Sequence, residues 1–147
     1  MPSEIVVDAN VVVNFALKSN PFHEQARKLF ADCTRDGTRL IAPPWWELEA
    51  DNALRFLARG KHITPAVAQE AQQSLDMAAV QVVWEPRLRV LARQIADRLQ
   101  QIRLDDATYV TLAQLRGCDL WTADLRLCNN AQSLGLSLVR SIATYSL

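Results

Sequence analysis

Apolar and polar positions along the chain alternate between strand-like and helix-like stretches. "EIVVD" (4–8) runs Ile5, Val6 and Val7 together, as a strand buried on both faces does. It ends on Asp8, and a helix-like apolar stretch follows at once. In "FHEQARKLFADC", Phe22, Ala26, Leu29, Phe30 and Cys33 recur at helical spacing. "RLIA" (39–42) reads as a second strand, stopped by Pro43 and Pro44. "PWWELEADNALRFLARG" reads as a helix with Pro44 in its first turn and Gly60 at its end. Thr64 and Pro65 open the next helix as N-cap and first helical residue. "VQVVW" (80–84) is a third strand. The helix after it, "PRLRVLARQIADRLQQI", puts Leu88, Leu91, Ile95, Leu99 and Ile102 on one stripe. "DATYVTLAQLRG" is a helix, "DLWT" (119–122) a strand, "ADLRLCNNAQSLG" a helix and "LSLVR" (136–140) a fifth strand. This alternation predicts an α/β/α sandwich around a mostly parallel five-stranded sheet. In such folds sites form at the carboxyl ends of the strands. That draws attention to the ends of strands one and four.

Length and charge narrow the classes. The 147 residues amount to one domain, expected to span 1–147. Sixteen basic residues balance sixteen acidic ones, so the chain lacks the basic excess of a strongly electrostatic nucleic-acid module. Cys33, Cys118 and Cys128 are odd in number and form no CxxC pair, as expected of buried thiols in a reducing compartment. No signal peptide is visible, and no apolar run is long enough to span a bilayer. The expectation is a cytoplasmic protein with no membrane partner.

Four carboxylates carry the candidate chemistry. Asp8 ends strand one and Asp124 lies just past strand four, its expected neighbour. Each also reads as an N-cap. On the third helix, Trp45, Leu48, Glu49, Asn52 and Phe56 share a stripe, which places Glu49 and Asn52 on the face expected to be buried. Glu47 points about 200° away, in line with Asp51 and Arg55 on a solvated, charge-paired face. In "LDDATYVTLA", Asp105 fits the N-cap and Asp106 leads the stripe of Val110 and Ala113. Acids in a first turn commonly do no more than complement the helix dipole. Four carboxylates in one crevice repel one another unless a cation sits among them. Oxygen ligands without a His or Cys cluster suit Mg²⁺ or Mn²⁺, and such a site suits phosphoryl chemistry.

At these residues the chain resembles the PIN-domain ribonucleases, specifically the VapC-type toxins of toxin–antitoxin pairs. The resemblance covers nearly the whole chain and rests on "IVVDANVVV", "ELEADNALR", "LDDATYVTLA" and "LWTADLRL", in that order. It picks Glu49 over Glu47 and Asp106 over Asp105, as the periodicity does. It implies a PIN-like fold and a metal-dependent endoribonuclease that leaves 5′-phosphate and 3′-hydroxyl ends. Asp8, Glu49, Asp106 and Asp124 would hold Mg²⁺ or Mn²⁺. Asn10 and Thr122 would orient those carboxylates, and Asn52 would tie the third helix to the loop after strand one. The resemblance also implies a cognate antitoxin and a homodimer. Asn10 stands where many relatives have Ser, Thr or Asp, and Leu127 where some carry a further acid; both bear on whether a second metal site exists.

Other features are weaker. Arg55, Arg59, Lys61 and His62 form a candidate basic lip for RNA, and Arg126 a candidate phosphate contact. Trp45 and Trp46 cannot both face inward from adjacent helical positions, so one is expected to be available to a partner. Apolar helices such as "QARKLFADC" and "AVAQEAQQSL" could line a groove for an amphipathic segment. Two other classes compete: a phosphatase or phosphotransfer domain with Asp8 as nucleophile, and a catalytically silent binding module. "DAN" lacks the second acid that a haloacid-dehalogenase-type phosphatase places two residues on.

Overall fold

A computed structural model describes residues 1–147. Five strands form one all-parallel sheet: β1 (Glu4–Val7), β2 (Arg39–Ala42), β3 (Val80–Val82), β4 (Leu120–Thr122) and β5 (Val139–Ser141). Their order is β3-β2-β1-β4-β5. The chain winds outward from β1 to β3, returns to the other side of β1, and continues to β5. The direction therefore reverses between β1 and β4. Both faces of β1 are covered, and Ile5, Val6 and Val7 are at most 1% exposed. That burial explains the unbroken β-branched run.

Seven α-helices cover the sheet: α1 (Ala9–Ala16), α2 (His23–Asp36), α3 (Trp46–Arg59), α4 (Pro65–Asp76), α5 (Leu88–Arg98), α6 (Asp105–Arg116) and α7 (Leu125–Ser133). Local chemistry sets several ends. Thr64 caps α4 by accepting from the Val67 amide at 3.2 Å, with Pro65 at the first helical position. Gly37 and Gly117 end α2 and α6 at φ +70° and +63°, a conformation that side chains with a Cβ resist. No helix is long and apolar enough to cross a membrane.

The expected elements appear with shifted ends. The fifth strand occupies 139–141 rather than 136–140, because Leu136 turns the chain and the sheet pairing starts at Val139. The α5 stripe buries Leu88, Ile95 and Leu99, but Ile102 lies beyond the helix end and is fully exposed. On α3 the expected stripe is not the core face. Trp46, Ala50 and Leu54 are buried, whereas Leu48 is 65% and Phe56 74% exposed, and Asn52 is exposed as well. The apolar character of Leu48 and Phe56 misleads, because it marks a surface patch and not the packed side. Glu47, Asp51 and Arg55 are all exposed, as expected.

The C-terminal segment is tied down by one acid. Asp32 on α2 accepts from Lys28 Nζ at 2.8 Å, from Tyr145 Oη at 2.7 Å and from Arg35 Nη1 at 2.9 Å. Lys28 first, then the Tyr145 hydroxyl, holds its carboxyl down at about 2, below the ordinary 3.8. The folded chain thus binds this proton less readily than the unfolded one. The contribution is present above about pH 4 and is lost as pH falls toward about 2. Urea midpoints measured across this window should fall for the wild type and vary less for Asp32→Asn.

Candidate active site

The reversal between β1 and β4 brings two acids together at the carboxyl end of the sheet. Asp8 follows β1 directly and caps α1, accepting from the Asn10 amide at 3.4 Å. Asp124 follows β4 and caps α7, accepting from the Arg126 and Leu127 amides at 2.9 and 3.1 Å. Both acids are therefore the N-caps that local sequence suggests, and both also sit at the fold's crevice. The two bonds to Asp124 end on Oδ1, so the cap leaves its other oxygen uncommitted.

Thr122, the last residue of β4, knots the two strand ends together and is fully buried. Its hydroxyl donates to Asp8 Oδ2 at 2.9 Å. The same oxygen accepts from Asn10 Nδ2 at 3.3 Å and from the Asp124 amide at 3.1 Å. Asn10 Oδ1 accepts from the Ala123 amide at 2.9 Å. Thr122 thus bonds the Asp8 carboxylate and the Asp124 amide at once, and Asn10 braces Thr122 and the Ala123 amide. Asn52 does not join this network. It is exposed and makes no bond to the loop after β1, because the α3 face it shares with Leu48 and Phe56 points outward.

Helices α3 and α6 supply the other acids. Glu49 accepts from Tyr109 Oη at 2.9 Å. Asp106 accepts from Gln101 Nε2 at 3.0 Å. Glu49, Asp106 and Asp124 line a cleft of about 530 Å³, with Gln101, Arg103 and Arg126 also on its walls. Asp8 is only 4% exposed and does not line the cleft, but it feels the charge of the acids that do. Burial first, then the negative charge of Asp106 and, more weakly, of Glu49, pushes the Asp8 carboxyl up to about 7. Burial also raises Glu49, with Asp105 and Asp106 adding to the effect and Tyr109 opposing it. Asp106 is raised by burial and then by the charge of Asp124. Asp106 is thus the acid through which the set is linked, acting on Asp8 and Glu49 and feeling Asp124 in turn.

Asp105 belongs partly to this group. It is not the N-cap of α6; Leu104 holds that position without a side-chain bond, and Asp105 is the first helical residue. Its carboxylate accepts from Arg103 Nη2 at 2.8 Å, which partly neutralises it beside Glu49. The basic lip is not assembled at the cleft. Arg59 lies ten residues along α3 from Glu49, a rise of about 15 Å, and Lys61 lies beyond it. Arg55 lines a shallow depression with Asp51 and Asp76, away from the acids. Among the expected cationic contacts only Arg126 reaches the cleft, joined by Arg103, which has no motif to mark it.

Three partners escaped the sequence reading. Tyr109 lies three residues after Asp106, on the same side of α6, and that spacing is the signal that could have found it. Gln101 and Arg103 sit in an irregular turn after α5, opened by Gln100 at φ +56°, where no periodicity applies.

The donor set suits a hard divalent cation. Every group on offer is oxygen, and three of the four acids are held above their ordinary range by burial and mutual repulsion. Gln101 Oε1 is buried beside them with no hydrogen-bond partner, one more acceptor lacking a positive neighbour. The side chains are not drawn around a single point, since no three His, Cys, Asp or Glu groups form a ready-made metal cluster. The fit thus rests on donor chemistry and shared field.

Comparison with known proteins agrees with this architecture. The family model described as PIN domain matches residues 5–132. Ribonuclease VapC9 of Mycobacterium tuberculosis is 33% identical over 133 residues, covering 88% of this chain and 92% of that protein. Ribonuclease VapC3 of the same organism is 29% identical over 126 residues, covering 86% of each. Among solved structures, PAE2754 from Pyrobaculum aerophilum superposes with a TM-score of 0.68 at 21% identity, over 98% of this chain and 94% of that one. VapBC2 from Rickettsia felis, bound to a DNA fragment from its promoter, gives 0.62 at 10% identity, over 94% and 98%.

Proposed function

The chain belongs to the PIN-domain family, and from that premise we propose that it is a divalent-metal-dependent endoribonuclease of the VapC toxin type. The observation that carries this reading is a cleft at the β1/β4 reversal lined by Glu49, Asp106 and Asp124, with Asp8 buried at the adjoining end of β1. These four residues would hold Mg²⁺ or Mn²⁺. When bound, such a cation lowers the pKa of water and neutralises charge on a leaving phosphate oxygen. The chain's own residues set the stage. Thr122 and Asn10 fix Asp8, and the α7 cap fixes Asp124 with one oxygen free. Tyr109 aims Glu49, and Gln101 aims Asp106. Arg126 and Arg103, at the cleft wall, are placed to meet phosphates of the strand.

Tyr109 is a positioning residue on this reading. Tyr109→Phe removes one hydroxyl and leaves Glu49 Oε1 without its donor. The expected result is a roughly tenfold or greater loss of kcat with little change in KM. Stability should fall by only about 1 kcal/mol. A Michaelis series with a urea titration checks both.

Burial argues against Asp8 as a phosphate-accepting nucleophile. It is 4% exposed and does not line the cleft, so a substrate phosphorus has no path to it, whereas a small cation among the acids needs none. A cognate antitoxin, a homodimer and residence in the cytoplasm belong to the same proposal. The exposed Leu48 and Phe56 on α3 give a protein partner apolar surface to cover.

The direct test is incubation of the purified, antitoxin-free protein with total cellular RNA, with Mg²⁺ or Mn²⁺ and with EDTA. Discrete fragments that require the metal are expected. A folded, metal-supplied protein that cuts nothing would overturn the proposal in favour of a binding-only module.

A further inference from the structure

Beside the acid cleft lies a second cavity of about 320 Å³. The two share a wall made by Glu49, Arg103 and Asp105. Beyond that wall the character changes from acidic to aromatic, aliphatic and cationic: Trp45, Leu48, Leu104 and Arg89. Trp45 is held in place. Its indole Nε1 donates to Thr108 Oγ1 at 3.1 Å, and that hydroxyl donates to the Asp105 carbonyl at 2.6 Å. An indole fixed in this way loses little freedom when a flat ring settles on it. Arg89 is exposed and can follow a flexible ligand, while Arg103, 82% exposed in its side chain, is held at the shared wall by its pair with Asp105.

We infer that this cavity receives the unpaired nucleobase of the nucleotide next to the phosphate that is cut, stacked on Trp45 with Arg89 and Arg103 on the adjoining backbone. The inference rests on the ribonuclease reading above and gives it a substrate-positioning subsite. Because the two cavities share a wall, an RNA with one phosphate in the acid cleft can lay a neighbouring base across it. Aromatic stacking is how proteins commonly grip single-stranded RNA, since every base offers a flat face. Cations are needed on the flanks because the acids themselves repel the backbone. The subsite implies a single-stranded segment or loop at the cut, since a paired base could not enter it.

The test is binding by fluorescence anisotropy in the Asp8→Asn background, which is expected not to cut. The probes are labelled RNA hexamers of A, C, G or U and the same hexamers with one central abasic ribose. Binding of at least one intact hexamer is expected, weakened roughly tenfold by Trp45→Leu and by the abasic site, with no further loss when the two are combined. Trp45→Phe should restore most of the affinity. Arg89→Ser, at an exposed position, should weaken binding about threefold. Unchanged affinity in a folded Trp45→Leu protein, or for the abasic hexamers, would overturn the inference; a cavity that takes a partner's peptide would give that result. RNA cleavage by the wild type with no hexamer bound would overturn the subsite and leave the nuclease standing. Neither cleavage nor binding would overturn both.

Discussion

Asp8→Asn should lower RNA cleavage by about a thousandfold or more while leaving the protein folded. The substitution keeps size and shape and removes a carboxylate coupled to Asp106 and Glu49. A thousandfold loss corresponds to about 4 kcal/mol of transition-state stabilisation, a plausible size for the charge that holds a catalytic cation. The fold should tolerate the change, because burial already disfavours the charged form and pushes Asp8 up to about 7. The sign of the pH effect follows. Between the ordinary 3.8 and about 7 the folded chain holds a proton that the unfolded chain releases. With EDTA present, Asp8 should therefore contribute a loss of stability as pH rises from about 4 to about 7, and Asp8→Asn should reduce that slope, the part due to Glu49 and Asp106 remaining. Cleavage rates and urea midpoints measured on the same preparations check both halves. A variant that still cuts would place the active acids elsewhere.

Thr122→Val should damage stability and activity together. Valine matches threonine in shape, so the strand end packs as before, but the hydroxyl at the centre of the knot is gone. Asp8 Oδ2 loses its donor, and Asn10 Nδ2 and the Asp124 amide lose their acceptor. Water cannot readily replace it, since Thr122 is 0% exposed. Unsatisfied buried polar groups of this kind cost about 1 to 3 kcal/mol, more where one is charged. Groups that orient metal-holding carboxylates typically matter by about 10- to 100-fold in metal affinity or activity. Thr122→Ser, which restores the hydroxyl, should recover most of the activity. Chemical denaturation and cleavage kinetics on the Val and Ser variants separate the two effects. A Val variant with wild-type kinetics would mean that Asp8 needs no such support.

Much of this site could be read from the chain because its chemistry is local. A β-branched run ending on Asp8 and the apolar pair Leu120–Trp121 before Thr122 mark two buried strands. Parallel packing then carries both strand ends to one edge. The helical offset separating Glu49 from exposed Glu47 also holds, because it depends only on the turn angle. On α3, apolar character does not report burial. Leu48 and Phe56 look like core yet face solvent, so Glu49 is half-buried at a cleft and not an acid stranded in the interior. Asn52 moved outward with them. Long-range partners were hidden for another reason. Gln101 and Arg103 act from a turn whose shape depends on the packing of α5 against α6. Arg59 and Lys61 follow Glu49 closely in sequence, but a straight helix carries them away from it.

Mn²⁺ binding followed by electron paramagnetic resonance most directly tests whether the four carboxylates form one cation site. Wild-type protein free of any partner should take up Mn²⁺. Asp8→Asn, Glu49→Gln, Asp106→Asn and Asp124→Asn should each weaken uptake about tenfold or more, while Glu47→Gln, on the opposite exposed face, should leave it unchanged. No uptake by the folded wild type, or uptake indifferent to all four substitutions, would contradict a shared metal site.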